Sequence, residues 1–381
     1  MNYFTRRDFL KFACVSGIGA IAADHIVNSI CGESSSIVHA LTEIGYSHEA
    51  LYYEKIDALK VQCKLCPHEC VLGDGQRGIC RVREPNNGKL FSLVYELICA
   101  RHIDPIEKKP IFHMLPGTKS FSIATAGCNS RCKYCQNWQI SQSPPEDTRN
   151  EMLTVKGLVD AARLAGCRSI AYTYSEPTVF YEYMRDASIL SKKKNIKNIS
   201  VTGGYINPLP LEDICEYLDA VNFDLKAFDD NYLRNVCGQR LKPLLKALKI
   251  IHSKGVWVEI TNLIVPTLND DLGMIRKMSV WIRDNLGQDV PLHFSRFWPV
   301  YKLKHLAPTP LETLKSARQV ALEEGLRYVY IGNVRDVESS YTYCPGCKNA
   351  VIKRAGYSII ENKVTNGMCP SCGCRIAGIF S

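Results

Sequence analysis

Three groups of cysteines dominate the chemistry open to this chain. Of its 18 cysteines in 381 residues, most fall into these groups, with neighbours a few residues apart. A disulfide framework belongs to small secreted chains, so such spacing on a large one reads as metal ligation. The middle group, Cys128, Cys132 and Cys135, is an incomplete set of three thiols. A four-iron cube held by three thiolates keeps one iron open to an external ligand, whereas structural zinc asks for a fourth protein ligand. The last group, Cys344-Pro-Gly-Cys347 and Cys369-Pro-Ser-Cys372, is a pair of CxxC knuckles with 21 residues between them, the spacing of a zinc ribbon. Zinc is the first expectation there and rubredoxin-type iron the alternative, with Cys374 a spare or substitute ligand. The first group, Cys63, Cys66, Cys70 and Cys80, is interrupted by Gly73, Gly75 and Gly78. That pattern suits a folded-back loop clamp around zinc or around an auxiliary iron–sulfur cluster, and His68 is a further candidate ligand. The scattered Cys14, Cys31, Cys99, Cys167, Cys215 and Cys237 read as small buried hydrophobes.

The elements that must position these groups alternate. Short β-branched or aromatic runs at Phe121–Thr125, Ser169–Tyr174, Ile199–Thr202, Val221–Leu225, Trp257–Val265, Leu292–Phe297 and Tyr328–Ile331 are separated by helix-length segments. Among these are Val155–Ala165 behind Thr154 as N-cap, Thr178–Lys193 behind Pro177, and Leu241–Lys254 ahead of Gly255. The class is therefore α/β with a parallel sheet, expected as a partial or complete (β/α) TIM-type barrel whose strand C-termini carry the site. A further helix is expected around Ala50–Leu59. The expected organisation is a signal and linker over 1–40, an N-terminal cysteine-rich segment over 41–117, the α/β domain over 118–337, and a zinc-ribbon-like module over 338–381. The connector Glu338-Ser339-Ser340 opens this module, and a hairpin through Val351–Lys363 joins its knuckles.

Composition excludes other classes. At 46% hydrophobic and 22% charged residues the chain can bury a core. No apolar stretch reaches the roughly 18 to 20 residues of a spanning helix, since the longest, Phe12 to Ala23, is broken by Gly17 and Gly19. The net charge of +9 is spread along the chain, and Lys192, Lys193 and Lys194 read as a solvated helix end, so no nucleic-acid partner is expected.

Several short motifs occur in a fixed order. Cys63-Lys64-Leu65-Cys66-Pro67-His68-Glu69-Cys70 is followed by Gly78-Ile79-Cys80, Asp104-Pro105-Ile106-Glu107-Lys108-Lys109-Pro110 and Leu115-Pro116-Gly117. Then come Thr125-Ala126-Gly127-Cys128 through Cys135-Gln136-Asn137-Trp138, Tyr172-Thr173-Tyr174-Ser175-Glu176-Pro177, Thr202-Gly203-Gly204-Tyr205, Asp224-Leu225-Lys226 and His293-Phe294-Ser295-Arg296-Phe297. With its CxxxCxxC core, the series resembles the radical SAM superfamily, in particular the pyruvate formate-lyase activating enzyme type and, within that, the AmmeMemoRadiSam system enzymes. The resemblance covers nearly everything from Cys63 to Cys374.

It implies that Cys128, Cys132 and Cys135 hold a 4Fe-4S cluster whose open iron binds S-adenosyl-L-methionine. Tyr134 would lie near the adenine. Glu176 would accept from the methionine amino group, Thr202, Gly203 and Gly204 would pass close to the ribose or methionine moiety, and Lys226 would neutralise the carboxylate. Two glycines of the superfamily motif are replaced by Tyr174 and Ser175. The implied reaction is one-electron cleavage of S-adenosylmethionine to a 5'-deoxyadenosyl radical that abstracts hydrogen from a substrate. It requires a low-potential electron donor. The preferred substrate is a small molecule or protein handled with AmmeMemoRadiSam partner proteins. The alternatives are activation of a glycyl radical enzyme, where a Pro-Tyr-His run would be expected in place of His293-Phe294-Ser295, or a non-catalytic iron–sulfur electron carrier. No catalytic side chain is singled out.

At the N-terminus, Thr5-Arg6-Arg7-Asp8-Phe9-Leu10-Lys11 and the glycine-containing stretch to Ala23 resemble a twin-arginine export signal, which carries folded, cofactor-loaded proteins. Export to the periplasm or outer membrane face is expected. The cytoplasm, where S-adenosylmethionine and low-potential reductants are made, is the alternative. Changing Arg6 and Arg7 to lysine is expected to keep the protein inside the cell. Fractionation that finds both forms at full length in one soluble cytoplasmic pool would place it in the cytoplasm.

Overall fold

The structure is a computed structural model describing residues 48–381, which form one compact unit. The signal-like segment, Cys14 and Cys31 lie outside the described residues. Strands covered on both faces lose the polar–apolar alternation of half-exposed ones. Ser169–Tyr172 is buried at every position and Lys119–Ala124 at all but its first. These two open a parallel ladder that continues in chain order through Lys197–Thr202, Ala220–Asp224, Trp257–Ile264, Leu292–Arg296 and Val329–Gly332. An eighth strand, Ala100–Pro105, runs antiparallel to Lys119–Ala124 at the edge and pairs Ile103 with Phe121. The ladder is open, so the complete-barrel form of the expectation is not built.

Helices cover the sheet as their periodicity demands. Leu241–Ser253 buries Leu244, Ala247, Leu248 and Ile251, one stripe at helical spacing, and stops before Gly255. Thr154 caps Val155–Leu164 by accepting from the Gly157 amide at 3.0 Å. The helix expected from Thr178 opens instead with a 3-10 turn at Pro177–Phe180, and the α-helix is Tyr181–Lys193. Lys192, Lys193 and Lys194 at its end are exposed, as expected.

The helix expected around Ala50–Leu59 does not form. Tyr53–Lys55 is a strand that pairs with Lys60–Cys63, which pairs in turn with Val71–Gly73. The reason is local: Asp57 Oδ1 accepts from the amides of Leu59 (2.9 Å) and Lys60 (2.8 Å), an Asx turn that reverses the chain. Leu51, Ile56 and Leu59 are left exposed instead of forming an apolar stripe.

Residues 106–117 form a strap. Ile106, Ile111, Met114 and Leu115 pack on Ala171, Ile199 and Ala220 of the sheet, with Ile379 from the chain's end beside them. Beyond the 3-10 turn Glu338–Ser340, the strands Thr342–Tyr343, Ala350–Ala355 and Ser358–Asn362 make a small antiparallel sheet that contains the expected hairpin.

The N-terminal segment is fastened by a buried ion pair. Arg83 Nη2 lies 3.1 Å from Glu182 Oε1, with both side chains almost fully buried. Replacing Glu182 with Gln leaves the guanidinium without a counter-charge and is expected to cost about 3–5 kcal/mol. The measurement is the urea midpoint of unfolding; an unchanged midpoint would show that the pair fastens nothing.

Candidate active site

The cysteine loop follows the first parallel strand and is held from below by main chain. The Arg131 and Lys133 amides donate to the carbonyls of Cys237 (2.8 Å) and Val236 (2.9 Å), in the π-helical turn Leu233–Cys237. Cys128 Sγ accepts from the Ser130 amide at 3.3 Å, and Cys135 Sγ lies 3.1 Å from Ser141 Oγ. Burial, helped by the Glu176 carboxylate, pushes the Cys128 thiol well above its ordinary value, and burial pushes Cys135 up as well. Sulfurs so placed become thiolates only against a cation.

All three cysteines line one cleft of ≈ 500 Å³ with Tyr134, Glu176, Gly203 and Lys226. A hollow of ≈ 700 Å³ between Pro67 and Lys246 is roomier, but no cysteine or carboxylate pair converges there. Tyr134 is buried, and its hydroxyl lies 3.4 Å from Cys237 Sγ. Glu176 is 3% exposed and heavily engaged. Its Oε1 accepts from the Thr178 amide (3.2 Å), the Thr178 hydroxyl (2.8 Å) and the Thr202 hydroxyl, and its Oε2 accepts from the Gly203 amide at 2.8 Å. Glu176, Thr202 and Gly203, apart in sequence, are thus one hydrogen-bonded unit. Gly204 has φ +65, and a Cβ there would stand 2.0 Å from the Phe223 ring. Lys226 Nζ lies 2.9 Å from Asp224 Oδ2 at the end of the strand that precedes it. Ser175 also lines the cleft, and its hydroxyl is buried with no partner.

The sulfurs of Cys344, Cys347, Cys369 and Cys372 lie within 4.8 Å of one another. The separations Cys344–Cys372 (3.5 Å) and Cys347–Cys369 (3.7 Å) match the edge of a tetrahedron around one ion, which is roughly 3.8 Å for metal–sulfur bonds of about 2.3 Å. The first group, Cys63, Cys66, Cys70 and Cys80, lines a separate small cavity. Its loop-clamp expectation becomes a short three-stranded sheet with the cysteines at strand ends and turns.

Residues 122–278 match the model of the Radical SAM superfamily. Over 330 residues the chain is 46% identical to an uncharacterized protein of Methanocaldococcus jannaschii, covering 86% of this chain and 98% of that one. The chain belongs to the radical SAM superfamily. It is 29% identical to the pyruvate formate-lyase-activating enzyme of Clostridium pasteurianum over 164 residues, 42% of this chain and 67% of the relative. It is 24% identical to pyruvate formate-lyase 1-activating enzyme of Escherichia coli K12 over 223 residues, 54% and 89% of the two.

Radical SAM membership implies a 4Fe-4S cluster and S-adenosylmethionine, and the cleft fits both. Three thiols, Cys132 buried and Cys128 and Cys135 half-buried, converge with a lysine and an orphaned serine hydroxyl on one cleft. The replacement of a motif glycine by Tyr174 is also resolved: Tyr174 keeps the left-handed backbone a glycine would take, at φ +63. Its carbonyl accepts from Asn137 Nδ2 at 2.8 Å, and its hydroxyl donates to Asp104.

Several participants were missed from sequence. Cys237 is buried as expected, but its sulfur lies 3.4 Å from the Tyr134 hydroxyl and beside Cys132 instead of merely filling space. Cys167 and Cys215 are buried as expected, while Cys99 is only partly so. Lys109, also lining the cleft, pairs with Asp104 at 2.5 Å and lies 4.4 Å from the Tyr174 ring centroid. The signal was the motif Asp104 to Pro110, noticed without a role. His293 Nε2 meets the buried Glu259 at 2.7 Å on the opposite wall, and Tyr357 of the ribbon hairpin closes the rim.

Burial pulls Lys109 from an ordinary 10.5 down to about 8, outweighing the opposite pull of Asp104. Between those two values the unfolded chain holds the proton that the folded one has lost. Stability from this group therefore rises as pH increases through that window. Relative to Lys109→Met, the wild-type unfolding free energy is expected to climb from pH 8 upward; parallel curves would mean that Lys109 titrates like a free lysine.

Proposed function

We propose that the cleft binds S-adenosylmethionine on a 4Fe-4S cluster held by Cys128, Cys132 and Cys135 and uses it for hydrogen abstraction from a substrate. The observation that carries this reading is the convergence of the Cys128, Cys132 and Cys135 thiols with the Glu176–Thr202–Gly203 unit and Lys226 in one cleft. When bound and reduced, the pair supplies a 5'-deoxyadenosyl radical. The chain's own residues bind, orient and exclude. Lys226 presents a charge to the methionine carboxylate, Glu176 fixes the two turns that face the amino group, and Tyr134 walls the adenine side. Substrate enters past the exposed Tyr357 toward the buried Lys109 and His293, polar groups that suit a small molecule or peptide segment modified with AmmeMemoRadiSam partner proteins. Glycyl radical activation is the second reading, favoured by the 29% and 24% identities to pyruvate formate-lyase activating enzymes. An electron from a low-potential donor protein serves either. In the ribbon we assign one zinc to Cys344, Cys347, Cys369 and Cys372, the tetrad closed to single-ion dimensions.

After anaerobic reconstitution with iron and sulfide, addition of S-adenosylmethionine and dithionite is expected to yield 5'-deoxyadenosine. Lys226→Ala and Glu176→Gln are expected to keep the cluster but to weaken S-adenosylmethionine binding by about ten- to a hundredfold, the worth of hydrogen bonds to charged groups. Unchanged affinity in both would remove these residues from the site, and absence of 5'-deoxyadenosine from the wild type would sink the enzyme reading.

A further inference from the structure

The first cysteine group is built unlike the ribbon. Cys63, Cys66, Cys70 and Cys80 together line a small cavity, with Arg83 and Asn129 in its wall. The centre of a water-sized sphere has ≈ 20 Å³ of freedom inside it, more than the roughly 10–15 Å³ that one water needs. A single four-coordinate ion leaves no such room, because its thiolates close to tetrahedral contact, as the ribbon sulfurs do at 3.5 and 3.7 Å. Among the described residues, the ribbon sulfurs are the set that gathers within 4.8 Å; the first group stands wider, as do Cys128, Cys132 and Cys135.

The wall carries an unmet demand. Arg83 is 2% exposed and commits Nη2 to the Leu51 carbonyl and Glu182, yet its Nε and Nη1 are buried with no partner. Buried guanidinium donors cost free energy unless an acceptor meets them. A filling that brings its own anionic acceptors besides the thiolates would supply one, and a bare divalent cation would not. Asn129, the residue after Cys128, lines the same cavity, and its carbonyl lies 2.8 Å from His68 Nε2.

We propose that Cys63, Cys66, Cys70 and Cys80 hold a second 4Fe-4S cluster, with every iron on a protein thiolate and the inorganic sulfides facing the free donors of Arg83. Lacking an open iron, it takes no S-adenosylmethionine. Lying beside Asn129, it accepts one electron from a low-potential donor protein and passes one to the cluster on Cys128, returning to its oxidised state. This relay role rests on the reading of the Cys128 site given above; the cluster itself does not.

The test is the full-length chain with Cys128, Cys132 and Cys135 all changed to alanine, reconstituted anaerobically beside the wild type and assayed for iron, sulfide and zinc. The variant is expected to retain about four irons and four sulfides per chain, and the wild type about eight of each. A variant without iron, or a wild type with about four irons and a second zinc, overturns the proposal. Should the variant be insoluble, the wild-type count decides alone. On reduction, the wild-type paramagnetic spectrum is expected to be broadened relative to the single signal of the variant; an unbroadened wild-type spectrum overturns the relay. A wild type that shows no spectral response to S-adenosylmethionine, beside a variant that keeps its iron, defeats the reading of the Cys128 site and leaves this one standing.

Discussion

A carboxylate cut off from water has to be met by donors from the chain, and at Glu176 those donors come from two different strand ends. Thr178 belongs to the turn after Ser169–Tyr172, while Thr202 and Gly203 belong to the turn after Lys197–Thr202. The two strands are parallel neighbours with Tyr172 opposite Ser200, so the register of the ladder delivers both turns to the same height. Losing one donor would leave the others around an under-satisfied buried charge, which is why the unit acts as a whole. The open cleft between Cys128 and Lys226 exists because this unit keeps the two turns joined below it.

The strap does comparable work at its other face. Asp104 gathers Lys108 (2.9 Å), Lys109 and the Tyr174 hydroxyl, and these contacts, working against burial, hold its carboxyl well below the ordinary range. A few residues on, the Phe112 and His113 amides donate to Glu259 at 2.7–3.0 Å, and Glu259 also receives Trp257 Nε1 and faces His293. One short segment thus supplies the cationic side of the cleft and orients the histidine across from it. Its packing on Ala171, Ile199 and Ala220 fixes both at once.

How much of this the chain announces depends on how local the cause is. Thiol spacing is local, so Cys128, Cys132 and Cys135 and the ribbon knuckles were legible, as were the Thr154 cap and the stripe from Leu244 to Ile251. The strand ends were legible too, from β-branched and aromatic runs whose C-termini are expected to carry a site, whereas Glu176, Thr202 and Lys226 were singled out by the family resemblance. The misses are long-range. Nothing near Cys237 says that Tyr134 will reach it, and nothing near Tyr357 says that it will rim a cleft whose floor lies more than two hundred residues earlier. At Ala50–Leu59 the deciding cue is local, the Asp57 carboxylate that turns the chain by accepting from the Leu59 and Lys60 amides.

The ribbon's place follows from the same strap. Arg354 Nη2 donates to the Phe112 carbonyl at 2.8 Å, and its guanidinium lies 4.3 Å from the Phe112 ring centroid. At Gly117, with φ +82, a Cβ would press to 3.1 Å on Ile359, so the hairpin approaches strap backbone directly. The chain's end is stitched on as well, the Leu115 and Ile379 amides donating to the Ile379 and His113 carbonyls at 2.7 Å. The small sheet packs Val351 and Ile352 in one core with Phe112 of the strap and Tyr328 and Tyr330 at the last parallel strand. The cysteine tetrad is therefore tied to the cleft by two routes: directly by the hairpin that carries Tyr357, and through Phe112, which meets both Glu259 and His293.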